Sequence, residues 1–344
     1  MRGNSLQLFG RQALKPWWCR NPTGTFFDLV KETGRIFHKR GIDIIHAHRN
    51  KENLLAWCVR KRLGAQFLVS TLHGLSEVRK GWSVDRWRRG VVERVDETLL
   101  RQAFDSVVAV SEDIQRTLLQ AKGYLQPQVP VIHNGIDLPM WTSIRERPST
   151  PFCIGSVGRC VPVKDFPLFI AIGKALVTAG EEVRLVVLGE GPQKDELKAM
   201  VRREGLDSVV SFAAPCADPT NFYRSLDLYL NTSKHEGIPL SVLEAMAHGI
   251  PVVAPAIGGI PEILCDREVG ILVARRTVSA FAEACQQMMH DRETYASMRM
   301  RARKRVELEF SSEKMAMSYL ALYRKLCGRH AADITVTTDV CAVS

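Results

Sequence analysis

The sequence predicts an α/β protein built as two Rossmann-like domains facing across a cleft, each a parallel sheet covered by helices. Three observations carry that expectation. From residue 152 onward, short apolar runs alternate with helical stretches, the pattern of a parallel sheet buried on both faces. Glycine turns at Gly158, Gly189, Gly237 and Gly258 follow those runs, at the carboxyl ends where doubly wound sheets bind ligands. The same alternation recurs less completely before a polar, proline-containing linker at 138–151.

In chain order, 42–45 reads as a strand, 50–63 as a helix and 66–71 as a strand. The apolar runs 106–110 and 129–132 read as two more strands. In the second half, 152–157 is a strand leading into Gly158 and Arg159, and 168–179 is an amphipathic helix. The continuous apolar run 183–188 ends in Gly189-Glu190-Gly191-Pro192, and 193–204 is helical. A strand at 209–213, a helix at 219–225 and a buried strand at 226–233 follow. The domains are set at 1–140 and 150–310, with a loose tail at 328–344 that has no helical period.

The composition is that of an ordinary globular chain: 344 residues, 46% hydrophobic and 24% charged, large enough for two domains. No apolar run approaches the roughly 18 residues of a membrane span, and the first residues lack a signal peptide's apolar core. Nine scattered cysteines without a C-x-x-C point to reduced thiols in the cytosol. The formal net charge of +10 is lopsided. Residues 1–150 carry 24 Lys+Arg against 14 Asp+Glu, whereas 151–344 carry 23 of each. The first half therefore expects an anionic partner. Nucleic acid, an anionic membrane and a phosphorylated lipid acceptor all have that charge, but the aromatic-basic motifs of nucleic-acid readers are missing.

The most informative segment is 235–246, in which Glu236 and Glu244 stand eight positions apart. Gly237 frees the backbone, and Pro239 suits the first turn of a helix that stops at Gly249. The amides at that helix start make an anion site around Gly237, Ile238, Pro239 and Leu240, flanked by two carboxylates. Backbone amides take a phosphate and carboxylates accept from sugar hydroxyls, so the arrangement fits a nucleotide sugar. Two glutamates at arbitrary spacing would instead be a solvated loop residue and a salt-bridge partner. Here a buried strand precedes the pair, and a turn, another strand and the pair Gly258-Gly259 follow it, making a βαβ phosphate-binding arrangement.

This segment resembles the E-x7-E signature of retaining glycosyltransferases of family 4, which have the GT-B fold of two Rossmann-like domains. The resemblance covers roughly residues 40 to 328. It implies that Glu236 contacts the donor sugar, that Glu244 contacts the ribose, and that the backbone at Gly237, Ile238 and Leu240 holds donor phosphate. It also implies that the last helix, 313–326, packs back on the first domain. Family members open with a strand and a Gly-Gly turn, and no such turn precedes Phe26 here. The first domain is accordingly expected to be shortened, by truncation or by loss of strands.

Gly158-Arg159 and Lys164 follow the first strand of the second half. An arginine fork and a lysine can neutralise a departing diphosphate without a metal, although alone they equally suit a solvated loop. In the resembled family the matching residues, here Arg159 and Lys164, do neutralise the diphosphate. No D-x-D pair exists in the chain, so no metal and no cofactor beyond the donor are expected. The turn Gly189-Glu190-Gly191 reads either as a nucleotide contact or as a tight strand-to-helix turn.

His46 and His48 end one strand and His73 ends the next. They lack the carboxylate or cysteine partners of a zinc site. The resemblance places His73 near the donor's anomeric carbon and leaves His46 and His48 lining the cleft. The segment 79–89 holds Arg79, Lys80, Arg86, Arg88, Arg89, Trp82 and Trp87. It leads into a helix with Val84, Trp87, Val91, Val95 and Leu99 at helical spacing, part of it core. Its start suits either peripheral contact with an anionic membrane or a solvated basic loop.

The expected activity is transfer of a sugar, with retention, from a nucleotide-diphosphate donor to a hydroxyl of a glycan or lipid-linked acceptor. Lipopolysaccharide, capsule and other cell-surface polysaccharides are the acceptor classes, and the inner face of the cytoplasmic membrane is the place. The rival is a catalytically impaired relative that binds a nucleotide sugar as a partner module. Within enzymes, an epimerase or phosphorylase on the same fold stands further off.

Overall fold

A computed structural model describes residues 25–38, 42–63, 67–74, 84–140, 150–214, 216, 218–265 and 268–328. The chain runs α1 (Phe26–His38), β1 (Ile44–Ala47), α2 (Asn50–Leu63), β2 (Phe67–Leu72), α3 (Val84–Ala103), β3 (Ser106–Ala109) and α4 (Glu112–Ala121). β1, β2 and β3 form a parallel sheet in that order. Buried Asn53 ties α2 to its neighbours, donating to Asp96 Oδ1 at 3.0 Å and accepting from Ser70 Oγ at 2.9 Å.

The run 129–132 does not extend into a strand. Only an isolated bridge joins Val131 to Ala109, because Pro130 has no N–H to give to a ladder. Of the expected helical stripe of α3, Leu99 packs against the core, as part of that stripe was expected to do. Val95 is 56% exposed, and Asp96 and Leu100 are buried beside Leu99. The segment 79–83 lies outside the described residues, as do 141–149 of the linker and the tail beyond 328.

The second sheet is built from β4 (Phe152–Val157), α5 (Phe166–Thr178), β5 (Val183–Leu188), α6 (Lys194–Arg203), β6 (Val210–Ala213), α7 (Thr220–Arg224), β7 (Leu228–Leu230), α8 (Leu240–Ala247), β8 (Val252–Pro255), α9 (Ile260–Ile263) and β9 (Ile271–Val273). The six strands are parallel in the order β6-β5-β4-β7-β8-β9. β4, β5 and β6 step outward one way, then β7 returns to pair with the other side of β4. Strand order therefore reverses between β4 and β7, and such a switch point opens a crevice at the strands' carboxyl ends. The loops leaving β4 and β7 carry the two motifs singled out above.

Two long helices close the chain, α10 (Val278–His290) and α11 (Arg292–Glu309), followed by α12 (Ser312–Cys327). Ser311 bridges to Ile136, and α12 then lays Met315, Tyr319, Leu322, Tyr323 and Leu326 on Val69 and Val108 of the first sheet and on Ile132 beside it. The chain thus crosses between its halves twice. No described helix is long and apolar enough to cross a membrane.

Candidate functional site

The loop after β4 carries Gly158 and exposed Arg159, then a 3-10 turn at Pro162–Lys164. It is stitched to the loop after β7 by backbone: Lys234 N donates to the Val163 carbonyl at 2.7 Å, and Thr232 Oγ1 donates to the Lys164 carbonyl at 3.0 Å. Asp165 takes a left-handed conformation, φ 52°, held by Arg276 Nη2 at 2.7 Å, which also reaches the Thr232 carbonyl at 2.9 Å. This stitching delivers Lys164 Nζ to Glu236 Oε1 at 2.6 Å, and Ser233 Oγ donates to the same oxygen at 2.6 Å. Glu236 Oε2 has no protein donor among the described residues. Arg159 makes no ion pair among them either, so of the two expected cations only Lys164 meets Glu236.

Gly189 and Gly191 stack their backbone on that of Gly158 and Cys160, with Cys160 N donating to the Glu190 carbonyl at 2.8 Å. The Glu190 side chain pairs with Lys194, the first residue of α6. All three turn residues thus belong to the same strand-end wall as Arg159.

Pro239 is the cap residue of α8; its backbone is extended and it provides no side-chain cap. Val242 N and Leu243 N donate to the Pro239 carbonyl at 3.1 and 3.3 Å, which leaves the amides of Leu240 and Ser241 for another acceptor. One turn in, Glu244 Oε2 accepts from Tyr223 Oη at 2.5 Å. Burial pushes the Glu244 carboxyl above the ordinary carboxylate range, and the Tyr223 hydroxyl opposes that shift. Buried Tyr229 donates to Ser241 Oγ at 2.8 Å. Leu240 is 47% exposed, an apolar side chain at the mouth of the helix start.

The first half supplies the opposite wall. A Cβ at Gly237 would collide with the His73 carbonyl oxygen, so only glycine allows β2's end and the glutamate loop to approach so closely. Asn134 Nδ2 donates to the Ile238 carbonyl at 3.0 Å. Gly258, φ 51°, folds its turn onto the Glu236 carbonyl. Three imidazoles stack behind this contact: His46 on His48 at 4.4 Å between centroids, and His48 on His73 at 5.4 Å. His48 Nδ1 and His73 Nε2 share a hydrogen bond of 3.1 Å, which requires one nitrogen to be an unprotonated acceptor. Burial lowers the pKa of all three, His46 to about 3. His46 also bonds Tyr323 Oη at 2.6 Å and Thr71 Oγ1 at 2.8 Å, and Thr71 bonds Tyr319 Oη at 2.8 Å. The last helix therefore braces the histidine stack.

A second contact spans the halves. Glu262 Oε2 accepts from Glu112 N and His133 Nε2, both at 2.9 Å, and Glu262 Oε1 accepts from Asp113 N at 3.1 Å. It is a carboxylate set on the amino end of α4, where the helix dipole favours it.

Of the expected site residues, Lys164, Glu236, Gly237, Ile238, Glu244 and His73 are tied together across this crevice, the Gly189-Glu190-Gly191 turn is tied to it by backbone, and the Arg159 side chain makes no ion pair among the described residues. Sequence reasoning missed Ser233, Tyr223, Glu262, Tyr319 and Tyr323. The tyrosine pair had a signal, spacing i, i+4 on one helix face. Glu262 had a weaker one, its position just after Gly258-Gly259. Tyr223 had none, because it reaches Glu244 from a separate element.

Residues 7–139 match the family model described as Glycosyltransferase Family 4, and residues 141–305 match Glycosyl transferases group 1. The lipopolysaccharide core biosynthesis mannosyltransferase LpsB of Rhizobium meliloti (strain 1021) is 28% identical over 322 residues, which are 89% of this chain and 85% of that protein. A D-inositol 3-phosphate glycosyltransferase of Mycobacterium bovis (strain BCG / Pasteur 1173P2) is 27% identical over 309 residues; the match takes in 85% of this chain and 63% of that protein. Among solved structures, HepE of Anabaena in complex with UDP aligns with a TM-score of 0.72 at 21% identity, covering 90% of this chain and 84% of that one.

Proposed function

We propose that this chain, which has the fold of the GT-B glycosyltransferases and matches a glycosyltransferase family model in each half, moves a sugar from a nucleoside-diphosphate donor to a hydroxyl of a glycan or lipid-linked acceptor. The observation that carries this reading is the Lys164–Glu236 pair beside the uncapped start of α8. It sets a cation, a carboxylate and free amides at one strand-order switch point. The diphosphate would lie on the α8 amides, with Lys164 and Arg159 neutralising charge as the sugar departs. Glu236 would accept from sugar hydroxyls through Oε2, and Glu244 from the ribose. His73 would orient the sugar from the opposite wall.

In this reading transfer retains the anomeric configuration and uses no metal, the departing phosphate assisting deprotonation of the acceptor on the same face. The likeness to a lipopolysaccharide core mannosyltransferase supports a cell-surface polysaccharide or its lipid-linked precursor as acceptor. The basic excess of the first half supports peripheral contact with the anionic inner face of the cytoplasmic membrane through 79–89.

A donor screen by thermal shift tests it first, because a ligand stabilises by the logarithm of its concentration over Kd. Nucleoside diphosphates and their sugars should raise Tm, and an acceptor-dependent assay should then release nucleotide. Retention would be read from the anomeric proton coupling of the product. Binding without turnover against any acceptor would replace the enzyme by a binding module, and no stabilisation by any nucleotide would remove both.

A further inference from the structure

Tyr223 reaches Glu244 from α7, a five-residue helix, and is fully buried. Three rings fix it: His248 stacked at 5.4 Å, Phe222 edge-on at 5.8 Å and Tyr229 tilted at 6.2 Å. So clamped, its hydroxyl points at Glu244 Oε2 (2.5 Å), with the Ser241 carbonyl at 3.4 Å as a second, weaker acceptor. Glu244 Oε1 has no protein donor among the described residues. One oxygen of the carboxylate is thus occupied from within the protein while the other is left for a ligand.

We infer that Tyr223 is a positioning residue for nucleotide binding: it fixes the rotamer and the charge of Glu244, so that Oε1 is presented as an acceptor to a vicinal diol such as that of a ribose. This rests on the assignment of Glu244 to the donor's ribose made above. A half-buried carboxylate gains most from one charge-assisted donor, and burial keeps the Tyr223 phenol protonated by raising its pKa. The other groups around Glu244 do not duplicate it. Tyr229 spends its hydroxyl on Ser241. His248, one turn on, is held by burial at about 4 despite nearby Asp218, with Arg224 and Arg303 adding to the lowering. Arg303 itself donates to the Ala247 carbonyl and Arg299 to that of Gly249.

The test is the pH dependence of binding, by calorimetry, of UDP, GDP and ADP to wild type, Tyr223→Phe, Glu244→Gln and the double variant. The terminal phosphate of each nucleotide titrates with pKa about 6 in every protein alike, so differences between proteins isolate Glu244. At pH 8 the Tyr223→Phe protein should bind its nucleotide within about threefold of wild type. Its loss of affinity on acidification should begin about one pH unit higher, since the hydrogen bond that favours the ionised carboxylate is gone. In the Glu244→Gln background the same substitution should move nothing. An acid limb that stays in place in Tyr223→Phe overturns the inference while leaving the nucleotide site intact. Unchanged nucleotide affinity in Glu244→Gln overturns the ribose assignment itself. If the phenylalanine variant does not fold, 3-fluorotyrosine at 223, a stronger donor of nearly the same size, should move the limb to lower pH, and an unmoved limb there is equally fatal.

Discussion

Lys164 Nζ and Glu236 Oε1 lie 2.6 Å apart, with 23% and 12% of their side chains exposed. Each therefore holds the other at the point where a diphosphate and its sugar would meet. Lys164→Ala should remove charge needed only as the leaving group departs, lowering kcat by about 10²–10³ with a smaller change in donor KM. Glu236→Gln keeps an oxygen for Ser233 but loses the charge that partners Lys164, and it too should act mainly on kcat. Steady-state kinetics with donor varied at saturating acceptor reads both. A pure KM effect in either variant would place the pair in ground-state binding instead.

Gly237 sits where the glutamate loop meets the His73 carbonyl, so Gly237→Ala forces the two walls apart. The expected cost is about 1–3 kcal/mol, the usual range for overpacking, and urea denaturation measures it. Binding of nucleotide should weaken as well, because the same displacement moves Glu236 and the start of α8. A variant as stable and as active as wild type would show that the two walls are not in contact in solution.

Much of this was legible in the chain. The strands at Phe152–Val157 and Val183–Leu188 and the helix at Asn50–Leu63 stand where periodicity places them, because each is a clean apolar run or stripe bounded by glycine or charge. The α8 segment was legible because Pro239 and Gly249 punctuate both its ends. What escaped was decided by distant partners. Run 129–132 has the composition of a strand, yet Pro130 leaves it a single bridge. Helices α10 and α11 and the short β9 complete the second domain with no motif to announce them. Tyr223 and Ser233 act through Glu244 and Glu236, and only the fold reveals which carboxylate each one serves.

Glu262 predicts an acid-sensitive contact between the halves. Burial by itself would raise its pKa, but the hydrogen bonds from His133 and from the Glu112 and Asp113 amides outweigh that and lower it from 4.5. A depressed carboxylate contributes stability that is complete above the unfolded value and is lost as pH falls through the folded one. The loss should therefore begin below about pH 4.5. Glu262→Gln should flatten that part of the stability–pH curve and, at neutral pH, loosen the two halves, read as faster hydrogen exchange at the amides of 112 and 113. Exchange at those amides no faster than in wild type would show that α4 is capped by other means.

His46 predicts a second window at higher pH. Its imidazole is half-buried against Tyr323 and Thr71, and desolvation first, then the charges of His48 and His73, bring its pKa from 6.5 down to about 3. The unfolded chain binds a proton that the folded chain refuses, so stability is full above pH 6.5 and declines as pH falls from there toward 3. The slope from one such group is at most about 1.4 kcal/mol per pH unit. His46→Gln keeps a donor and an acceptor for Tyr323 and Thr71 but cannot titrate. Urea unfolding of both proteins between pH 7 and 5, above the range where Glu262 responds, should show the wild type losing stability faster than the variant as pH drops. Parallel curves would mean that His46 accepts its proton in the folded state, and with it that the brace from the last helix to His73 yields more readily than its hydrogen bonds imply.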